Sequence, residues 1–480
     1  AAMIGEAPRE AVVAGAPAPG LAGATFASNR FHFVGVGGAG MSGLARLFAG
    51  SGCTVTGSDQ SSGAVVDHLT GEGIDVWIGC QPARVHGQDG YVIRSAAVPL
   101  ADGEVQECVR RGFTSLLYAE AVGRLSEGRR TLAIAGTHGK TTTTGLTVAA
   151  LRAAGLEPSH LIGGEVPELG GNGRWGNSPE FVVEACEFNR SFHNLRPFGA
   201  AILNVDHDHF DCYPSTDDLI EAFAGYLARV RPGGTALVEE GVPRAVLNSL
   251  RGDVRILTVG SGLFADLRAV DVRDDLGRFA FVPVLLGRRL PRVQLALSGR
   301  HNVFNALVAL GLAHVVGADL DGACRGLAAF HGVRRRFELH TGSNGGLLVN
   351  DYAHHPAEIR AVVQAARRRF PGRRLLAVFQ PHQFQRTLCL LPEFGQALGT
   401  ADLALVVDIY GARESAEMRA SVSAQDLVAA VHAAGGAAEA AGAVDEVPTR
   451  VQAVRRDGDI VLLLGAGDID KALGGIVAGL

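Results

Sequence analysis

The sequence predicts an α/β protein of three domains. Two stretches, residues 31–49 and 132–151, each read as a short apolar strand, a glycine-rich turn and a helix. Between residues 347 and 464, apolar runs alternate with helical patterns. This alternation is typical of parallel sheets with right-handed crossovers, so each stretch predicts one such domain. A chain of 480 residues has room for two to four domains.

The first glycine-rich turn has the spacing of a loop that binds phosphate. A strand at Phe31–Val34 leads into residues 35–40, which read G-V-G-G-A-G and match the pattern G-x-G-x-x-G of Rossmann-like domains. Asp59 ends the next predicted strand, 24 residues after Gly35, where such domains bind a ribose. The motif requires only that a pyrophosphate or similar anion meets a helix N-terminus. NAD is therefore one possible ligand among several.

The second turn, G-T-H-G-K-T-T at residues 136–142, predicts a phosphate cradle of the P-loop type. Its glycines let backbone N–H groups point inward, and Lys140 would reach the β- and γ-phosphates while Thr141 would hold Mg²⁺. The strict P-loop pattern has glycine where Ile134 stands, so this is a tighter variant. The alternative is that Lys140 is an ordinary surface lysine without a function. Only two of the 44 lysines and arginines are lysines, Lys140 and Lys471, which argues against that alternative.

Carboxylates and histidines follow two further predicted strands. Glu184 ends one apolar run, and V-D-H-D-H-F-D at residues 205–211 follows another. Because parallel strands place their carboxyl ends on one edge, we expect Glu184 and His209 to lie near Thr141. A structural zinc site or a solvated acidic loop is the alternative for the histidines. The oxygen-rich surroundings favour a hard cation.

Composition limits the classes of partner. A net charge of −5 and a pI near 6.4 give no reason to expect nucleic acid or a membrane surface as a partner. No apolar run approaches the length of a membrane span and no signal segment opens the chain, so we expect no membrane insertion. The seven cysteines lie far apart without a C-x-x-C pair, which indicates reduced thiols and a cytoplasmic location.

The two phosphate loops lie about a hundred residues apart and point to an enzyme that uses both. A nicotinamide dehydrogenase has no use for the second loop, and a kinase does not need the first. A ligase that spends ATP on a nucleotide-linked substrate needs both. From about Arg30 to its C-terminus the chain resembles the Mur ligase family. The resemblance rests on eight motifs in family order: G-V-G-G-A-G-M-S-G, A-G-T-H-G-K-T-T-T-T, E-A-C-E, N-V-D-H-D-H-F-D, G-R-H-N, V-R-R-R-F-E, N-D-Y-A-H-H-P and F-Q-P-H.

This resemblance implies an ATP- and Mg²⁺-dependent ligase that joins L-alanine to the carboxylate of UDP-N-acetylmuramate through an acyl phosphate, in peptidoglycan synthesis. The enzyme is expected as a monomer or homodimer. The implied organisation is a mobile tail at 1–29, a Rossmann-like UDP-sugar domain at 30–127, a central P-loop-type ATPase domain at 128–332 and a Rossmann-like C-terminal domain at 333–480. The last would close as a lid over ATP and the alanine.

The resemblance also implies a set of site residues. Those for the UDP-sugar are Gly37, Gly38, Ala39, Gly40, Met41, Ser42, Asp59 and Ser95. Those for ATP are Gly136, Thr137, His138, Gly139, Lys140, Thr141, Thr142, His301, Asn302, Arg336 and Asp351. The metal ligands are Thr141, Glu184 and His209, and the catalytic residues are Lys140, Glu187, His209, His354 and Arg386.

Two points stay open within that set. The family usually has arginine and tyrosine after Pro381-His382, whereas this chain has Gln383 and Phe384, so only Arg386 is carried over from that stretch. Glu187, His209 and His354 are all candidates to take the proton of the amine.

Other functions remain as alternatives. The ligase that recycles murein tripeptide is the closest, although E-A-C-E-F-N-R at residues 184–190 resembles the alanine-adding enzyme more. A nucleotide-controlled binding protein would need the phosphate cradle but not Asp351, His354 or Arg386. Folate polyglutamate synthesis would not need the first glycine loop.

Overall fold

The computed structural model describes residues 25–206, 212–213, 215–411 and 414–480. The chain divides into two compact units. The first unit comprises the described part of residues 1–130 together with 156–160 and 173–181, and the second comprises the described part of the remainder. Most of the predicted tail at 1–29 lies outside the described residues, which begin at Thr25.

The first unit is built on a five-stranded parallel sheet with helices between its strands. Its elements are β1 (Arg30–Val34), α1 (Ala39–Gly50), β2 (Thr54–Asp59), α2 (Ala64–Gly71), β3 (Asp75–Ile78), β4 (Tyr91–Arg94), α3 (Gly103–Arg110), β5 (Thr114–Leu117) and α4 (Tyr118–Glu127). The strand order is β3-β2-β1-β4-β5. The chain therefore reverses its direction of winding at β1, and such a switch point opens a crevice at the carboxyl ends of β1 and β4.

Residues 130–332 contain a mixed sheet with parallel strands at its centre. The elements are β6 (Arg130–Ala135), α5 (Lys140–Ala153), β7 (Ser159–Leu161), β8 (Gly173–Arg174), β9 (Glu180–Glu184), β10 (Gly199–Ile202), α6 (Thr216–Leu227), β11 (Thr235–Glu239), β12 (Arg255–Val259), β13 (Leu267–Asp275), β14 (Arg278–Leu285), β15 (Arg288–Arg289), β16 (Val293–Ser298), α7 (His301–Val315) and α8 (Leu320–Ala329). In the order β12-β11-β10-β6-β9, the strands β12, β11, β10 and β6 run parallel. Their carboxyl ends share the edge that carries the second glycine loop.

An antiparallel extension continues this sheet and was not anticipated from the sequence. β14 pairs antiparallel with β13, β15 and β16. The turns at Leu276-Gly277 and Leu286-Gly287 place both residues of each pair at positive φ, the geometry of tight hairpins. The extension brings β16 and the start of α7 back towards the second glycine loop.

The C-terminal part of the second unit is a separate six-stranded sheet. Its elements are β17 (Glu338–Thr341), β18 (Leu347–Asp351), α9 (Pro356–Arg369), β19 (Leu375–Phe379), α10 (Phe384–Cys389), α11 (Leu391–Leu398), β20 (Leu403–Val407), α12 (Ala416–Arg419), α13 (Ala424–Ala433), β21 (Ala438–Gly442), α14 (Val447–Val454), β22 (Ile460–Leu464) and α15 (Leu473–Gly479). The order is β17-β18-β22-β19-β20-β21, and only β17 pairs antiparallel with its neighbour. Apolar clusters cover both faces, as expected where strands are continuous apolar runs.

In this region the sequence pattern predicts strands at 347–350, 375–379, 403–409 and 461–464 and helices at 356–370, 390–398 and 424–434, and the structure has each of them with ends within two residues of these. The helix predicted at 390–398 is α11, whereas α10 is an additional short helix that precedes it and ends before Leu390. Pro392 stands in the first turn of α11, where its missing N–H costs nothing, and it prevents a continuous helix through this point. Among the described residues, no helix is long and apolar enough to cross a bilayer.

Candidate functional site

In the first unit, the residues predicted for the UDP-sugar meet at the carboxyl edge of the sheet. The loop after β1 leads into α1, Asp59 ends β2, and Ser95 follows β4. Asp59 accepts a hydrogen bond from the Gly37 N–H (2.8 Å), so its carboxylate holds the loop in shape. Gly35 has φ +81°, in the left-handed region that favours glycine.

Glycine at position 37 is required by this contact. A Cβ atom there would lie 2.8 Å from Asp59 Oδ2, closer than real Cβ contacts. We expect Gly37→Ala to displace Asp59, distort the loop and weaken binding of a UDP-sugar about tenfold, measured by calorimetry. The matched control is Gly63→Ala, because that position has extended backbone and open space. Equal affinity of the two variants would contradict this role of the loop.

In the second unit, the glycine-rich loop predicted to hold phosphate lies between β6 and α5. Gly136 has φ +142° and Gly139, directly before α5, has φ +84°, so both glycines adopt conformations that other residues avoid. Asn204, after β10, accepts from the His138 N–H (2.8 Å) and donates to the His138 carbonyl (3.1 Å). The Thr137 hydroxyl donates to the Asp206 carbonyl (2.9 Å). The segment that follows β10 thus holds the loop.

Lys140 lies inside this loop and forms an ion pair with Glu187. Its Nζ donates to the Gly136 carbonyl (2.6 Å), the Thr137 carbonyl (3.1 Å) and Glu187 Oε1 (3.0 Å). Glu187 is buried, with 2% of its side chain exposed. Burial would lower the pKa of Lys140, but the charge and hydrogen bond of Glu187, together with the charges of Cys186 and Glu184, outweigh burial and raise the pKa. Lys140 is therefore fully charged at neutral pH.

Thr141 and Glu184 lie together, as predicted for metal ligands. The Glu184 carboxylate accepts from the Gly163 N–H and interacts with the Thr141 hydroxyl. Burial raises the pKa of Glu184 above its usual range, so a cation would stabilise its charged form. The third predicted ligand, His209, lies outside the described residues. Within the described part of the chain, no group of three or more His, Cys, Asp or Glu residues has the geometry of a metal site.

A pocket of about 760 Å³ runs from the glycine loop to the C-terminal sheet. Part of its lining is apolar, with Leu297, Val333 and Phe337 among its residues. Eight of the residues predicted to bind ATP line it: His138, Gly139, Thr141, Thr142, His301, Asn302, Arg336 and Asp351. A lining of apolar side chains with a few polar groups that can orient a ligand is typical of small-molecule pockets, and this one is large enough for a nucleotide.

Two of these residues, Asn302 and Asp351, also form hydrogen bonds with main-chain groups of the protein. The Asn302 amide donates to the Ser298 carbonyl (2.7 Å) and accepts from the Asn305 amide (2.9 Å) at the start of α7. Asp351 accepts from the N–H groups of Phe337 and Ala353 (2.7 and 2.8 Å). Burial is the main cause that raises the pKa of Asp351 to about 6. Their structural role does not conflict with the predicted contact to a nucleotide.

Glu358 belongs to this site and was missed in the sequence analysis. It lies in the first turn of α9, and its Oε1 atom is 3.1 Å from His138 Nδ1 of the glycine loop. Its Oε2 atom accepts from the His354 N–H (3.0 Å), and Arg336 lies 4.0 Å from Oε1. One sequence feature could have drawn attention to Glu358: it follows A-H-H-P in the first turn of a predicted helix. A carboxylate at that position interacts favourably with the helix dipole.

His354 and Arg386 form a second group in the C-terminal sheet, joined by His382. The rings of His354 and His382 are 6.1 Å apart, and a guanidinium nitrogen of Arg386 is 3.5 Å from His382 Nδ1. Arg386 is buried, with 4% exposed. Two of the predicted catalytic residues, Lys140 and Glu187, are in direct contact. His354 contacts Glu358, which in turn contacts His138 of the glycine loop.

Three family models match the chain in succession. Residues 30–130 match "Mur ligase family, catalytic domain", residues 134–313 match "Mur ligase middle domain", and residues 335–467 match "Mur ligase, glutamate ligase domain". Together with the three sheets, these matches confirm the predicted three-domain α/β architecture. The exact boundaries between the domains stay predictions.

Known proteins resemble the chain over most of its length. A UDP-N-acetylmuramate–L-alanine ligase from Halorhodospira halophila is 39% identical over 94% of this chain and 94% of that protein. A solved UDP-N-acetylmuramate-alanine ligase from Thermotoga maritima superposes with a TM-score of 0.77 at 26% identity, covering 93% of this chain and 98% of that one. A murein peptide ligase from Psychrobacter arcticus has the same fold, with a TM-score of 0.69 at 23% identity over 93% and 98% of the two chains.

Proposed function

The chain belongs to the Mur ligase family, and from that premise we propose that it joins L-alanine to the carboxylate of UDP-N-acetylmuramate at the expense of ATP. The relative that is 39% identical over nearly the full length carries the name of this activity, which supports the assignment. The reaction places the protein in peptidoglycan synthesis.

The structural support for this proposal is a group of four side chains beside the pocket. Lys140 and Thr141 open α5 at the same sheet edge where β9 delivers Glu184 and Glu187, beside a pocket that both sheets of the second unit line. A P-loop lysine, a hydroxyl and two carboxylates are the parts that phosphoryl transfer from ATP requires. A protein that only bound nucleotide would have no need of a buried carboxylate paired with that lysine.

The chemistry follows in two steps. A carboxylate does not react with an amine at neutral pH, so the γ-phosphoryl group of ATP first passes to the carboxylate oxygen of UDP-N-acetylmuramate, which gives an acyl phosphate and ADP. The amine of L-alanine then attacks the acyl carbon, the C–O bond to phosphate breaks, and an amide, phosphate and a proton are released. Lys140 spreads the charge of the transferring group, and the loop N–H groups orient it.

We infer that Mg²⁺ binds at Thr141 and Glu184, with His209 as the further ligand implied by the family resemblance. The hydroxyl and carboxylate oxygens supply the hard donors that Mg²⁺ prefers. Burial raises the pKa of Glu184, and a bound cation would offset this effect by favouring the charged carboxylate. When bound, Mg²⁺ would neutralise charge on the phosphate oxygens.

The acceptor side is proposed for the C-terminal sheet. Arg386 is carried over as the residue for the amino acid, with its guanidinium held near His382. Glu187, His209 and His354 remain candidates to take the proton of the amine. The proposed boundaries are 30–127, 128–332 and 333–480, the proposed location is the cytoplasm, and the protein is proposed to be a monomer or homodimer.

Phosphate release tests the function directly. The protein is supplied with ATP, Mg²⁺ and UDP-N-acetylmuramate, and L-alanine is compared with the tripeptide L-Ala-D-Glu-diaminopimelate and with no acceptor. We expect release that depends on both the sugar nucleotide and L-alanine. Release only with the tripeptide would assign the recycling reaction instead, and no release with any acceptor would favour a nucleotide-controlled binding protein.

A further inference from the structure

Glu358 connects the glycine loop to α9. Its side chain is 14% exposed and lies between His138 of the loop and His354, which precedes α9. The distances are 3.1 Å from Oε1 to His138 Nδ1 and 3.3 Å from Oε2 to His354 Nδ1. A buried carboxylate is stable only when cations or donors compensate it, and Glu358 receives them from both sides.

The contact determines the state of the His138 ring. Because the Glu358 carboxylate accepts at Nδ1, that nitrogen carries a proton, and a second proton at Nε2 makes the ring a cation. Burial would lower the pKa of His138, but the hydrogen bond and charge of Glu358, together with the charge of Asp206, outweigh burial and raise the pKa above its ordinary value. In turn, His354 and His138 keep the pKa of Glu358 well below its usual range against the effect of burial.

His138 lines the pocket, and its other ring nitrogen, Nε2, is buried beside it. Nε2 is shielded from solvent and finds no hydrogen-bond acceptor among the residues that the structure describes. The nearest carboxylate oxygen, Oδ2 of Asp206, is 3.6 Å away, beyond a good hydrogen bond. His138 lines the pocket beside Gly139 and Thr141, where the loop N–H groups would hold phosphate. A buried donor without an acceptor fits an anionic group of the ligand.

We propose that Glu358 is a positioning residue that keeps His138 doubly protonated, so that Nε2–H of His138 donates to a phosphate oxygen of the bound nucleotide. The inference rests on the proposed use of ATP and extends it. His138 would then be a third source of positive charge in the cradle, besides Lys140 and the metal. Glu358 acts through His138.

Several charged groups besides Glu358 surround the His138 ring. Asp206 from the loop after β10 favours the charged ring, and Lys140 from its own loop opposes it. The His355 ring lies 5.0 Å away, and Arg336 approaches from the domain junction near Glu358.

The raised pKa of His138 determines how the charge of its ring depends on pH. The charged ring is present below that pKa and is lost as the pH rises through it. Removing the charge of Glu358 moves this loss to lower pH.

The test compares Glu358→Gln with the unaltered full-length protein. Glutamine can still accept from the His354 N–H, so α9 keeps its first turn, but the charge is gone. Affinity for a non-hydrolysable ATP analogue is measured by calorimetry from pH 5.5 to 8.5, and the ring of His138 is titrated by NMR. We expect a lower His138 pKa and affinity about tenfold weaker in the window between the two pKa values, with convergence at low pH.

Two further variants make the result specific. Glu393→Gln removes an exposed carboxylate from the first turn of α11 and should leave both the affinity and the His138 titration unchanged. In a His138→Gln background, Glu358→Gln should cause no additional pH-dependent loss. Equal or tighter nucleotide binding by Glu358→Gln across the pH range, or an unchanged His138 pKa, would overturn the inference. Failure of the unaltered protein to bind the analogue would instead count against the proposed function.

Discussion

Replacing Lys140 with alanine is expected to reduce phosphate release by at least about a thousandfold. Lys140 is the one side-chain ammonium in the glycine loop, and its Nζ is held inside the loop by the carbonyls of Gly136 and Thr137. Alanine removes the charge that stabilises the transferring phosphoryl group. The rate is measured with saturating ATP, UDP-N-acetylmuramate and L-alanine, and the affinity for the UDP-sugar is measured separately.

The ion pair with Glu187 adds a stability effect that must be separated from the catalytic one. Removing Lys140 leaves a carboxylate that is 2% exposed without its cation, which costs about 3–5 kcal/mol in buried pairs. The double variant Lys140→Ala with Glu187→Gln should regain most of that stability, by thermal unfolding, but none of the activity. The matched control is Lys471→Ala, because the other lysine is 76% exposed. Turnover by the stable double variant near the original rate would show that Lys140 is only structural.

The Glu184→Gln variant is expected to lose about a hundredfold in rate and to need more Mg²⁺ for half-maximal activity. The amide keeps the shape and can still accept from the Gly163 N–H, but it lacks the charge that a divalent cation requires. A titration of Mg²⁺ against rate measures both effects.

Glu239 provides the control for this substitution. It ends β11 as Glu184 ends β9, at the same edge of the sheet, and its carboxylate accepts from the Gly241 N–H (2.7 Å). We expect Glu239→Gln to leave the Mg²⁺ titration unchanged. An identical titration for both variants would remove Glu184 from the metal site, and the ligands would then have to be sought elsewhere.

Much of the fold could be predicted because local patterns determined it. Continuous apolar runs such as Leu375–Phe379 became strands buried on both faces, and glycines at 136 and 139 became the turn that only glycine adopts readily. The antiparallel extension at β13–β16 was not predicted. Its pairing depends on turns whose central residues, such as Leu276, do not have the usual turn composition.

The candidate site was predictable to the extent that its residues lie at strand ends. Thr141 and Glu184 were expected together because parallel strands share an edge, and the structure brings them together. Glu358 could not be assigned to the glycine loop, because 220 residues separate it from His138 and no periodicity reports on such a contact. The pairing of Lys140 with Glu187 was hidden for the same reason.

The sequence by itself determined the strand–loop–helix units, the two glycine-rich loops and the family, because each depends on residues that are close along the chain. Only the tertiary structure decided which partner each charged side chain contacts. Lys140 pairs with buried Glu187, His138 contacts Glu358, and Asp59 binds the loop after β1. The physical reason is that the energy of a buried ion pair depends on distance and desolvation, and both arise only when separate strands and helices come together.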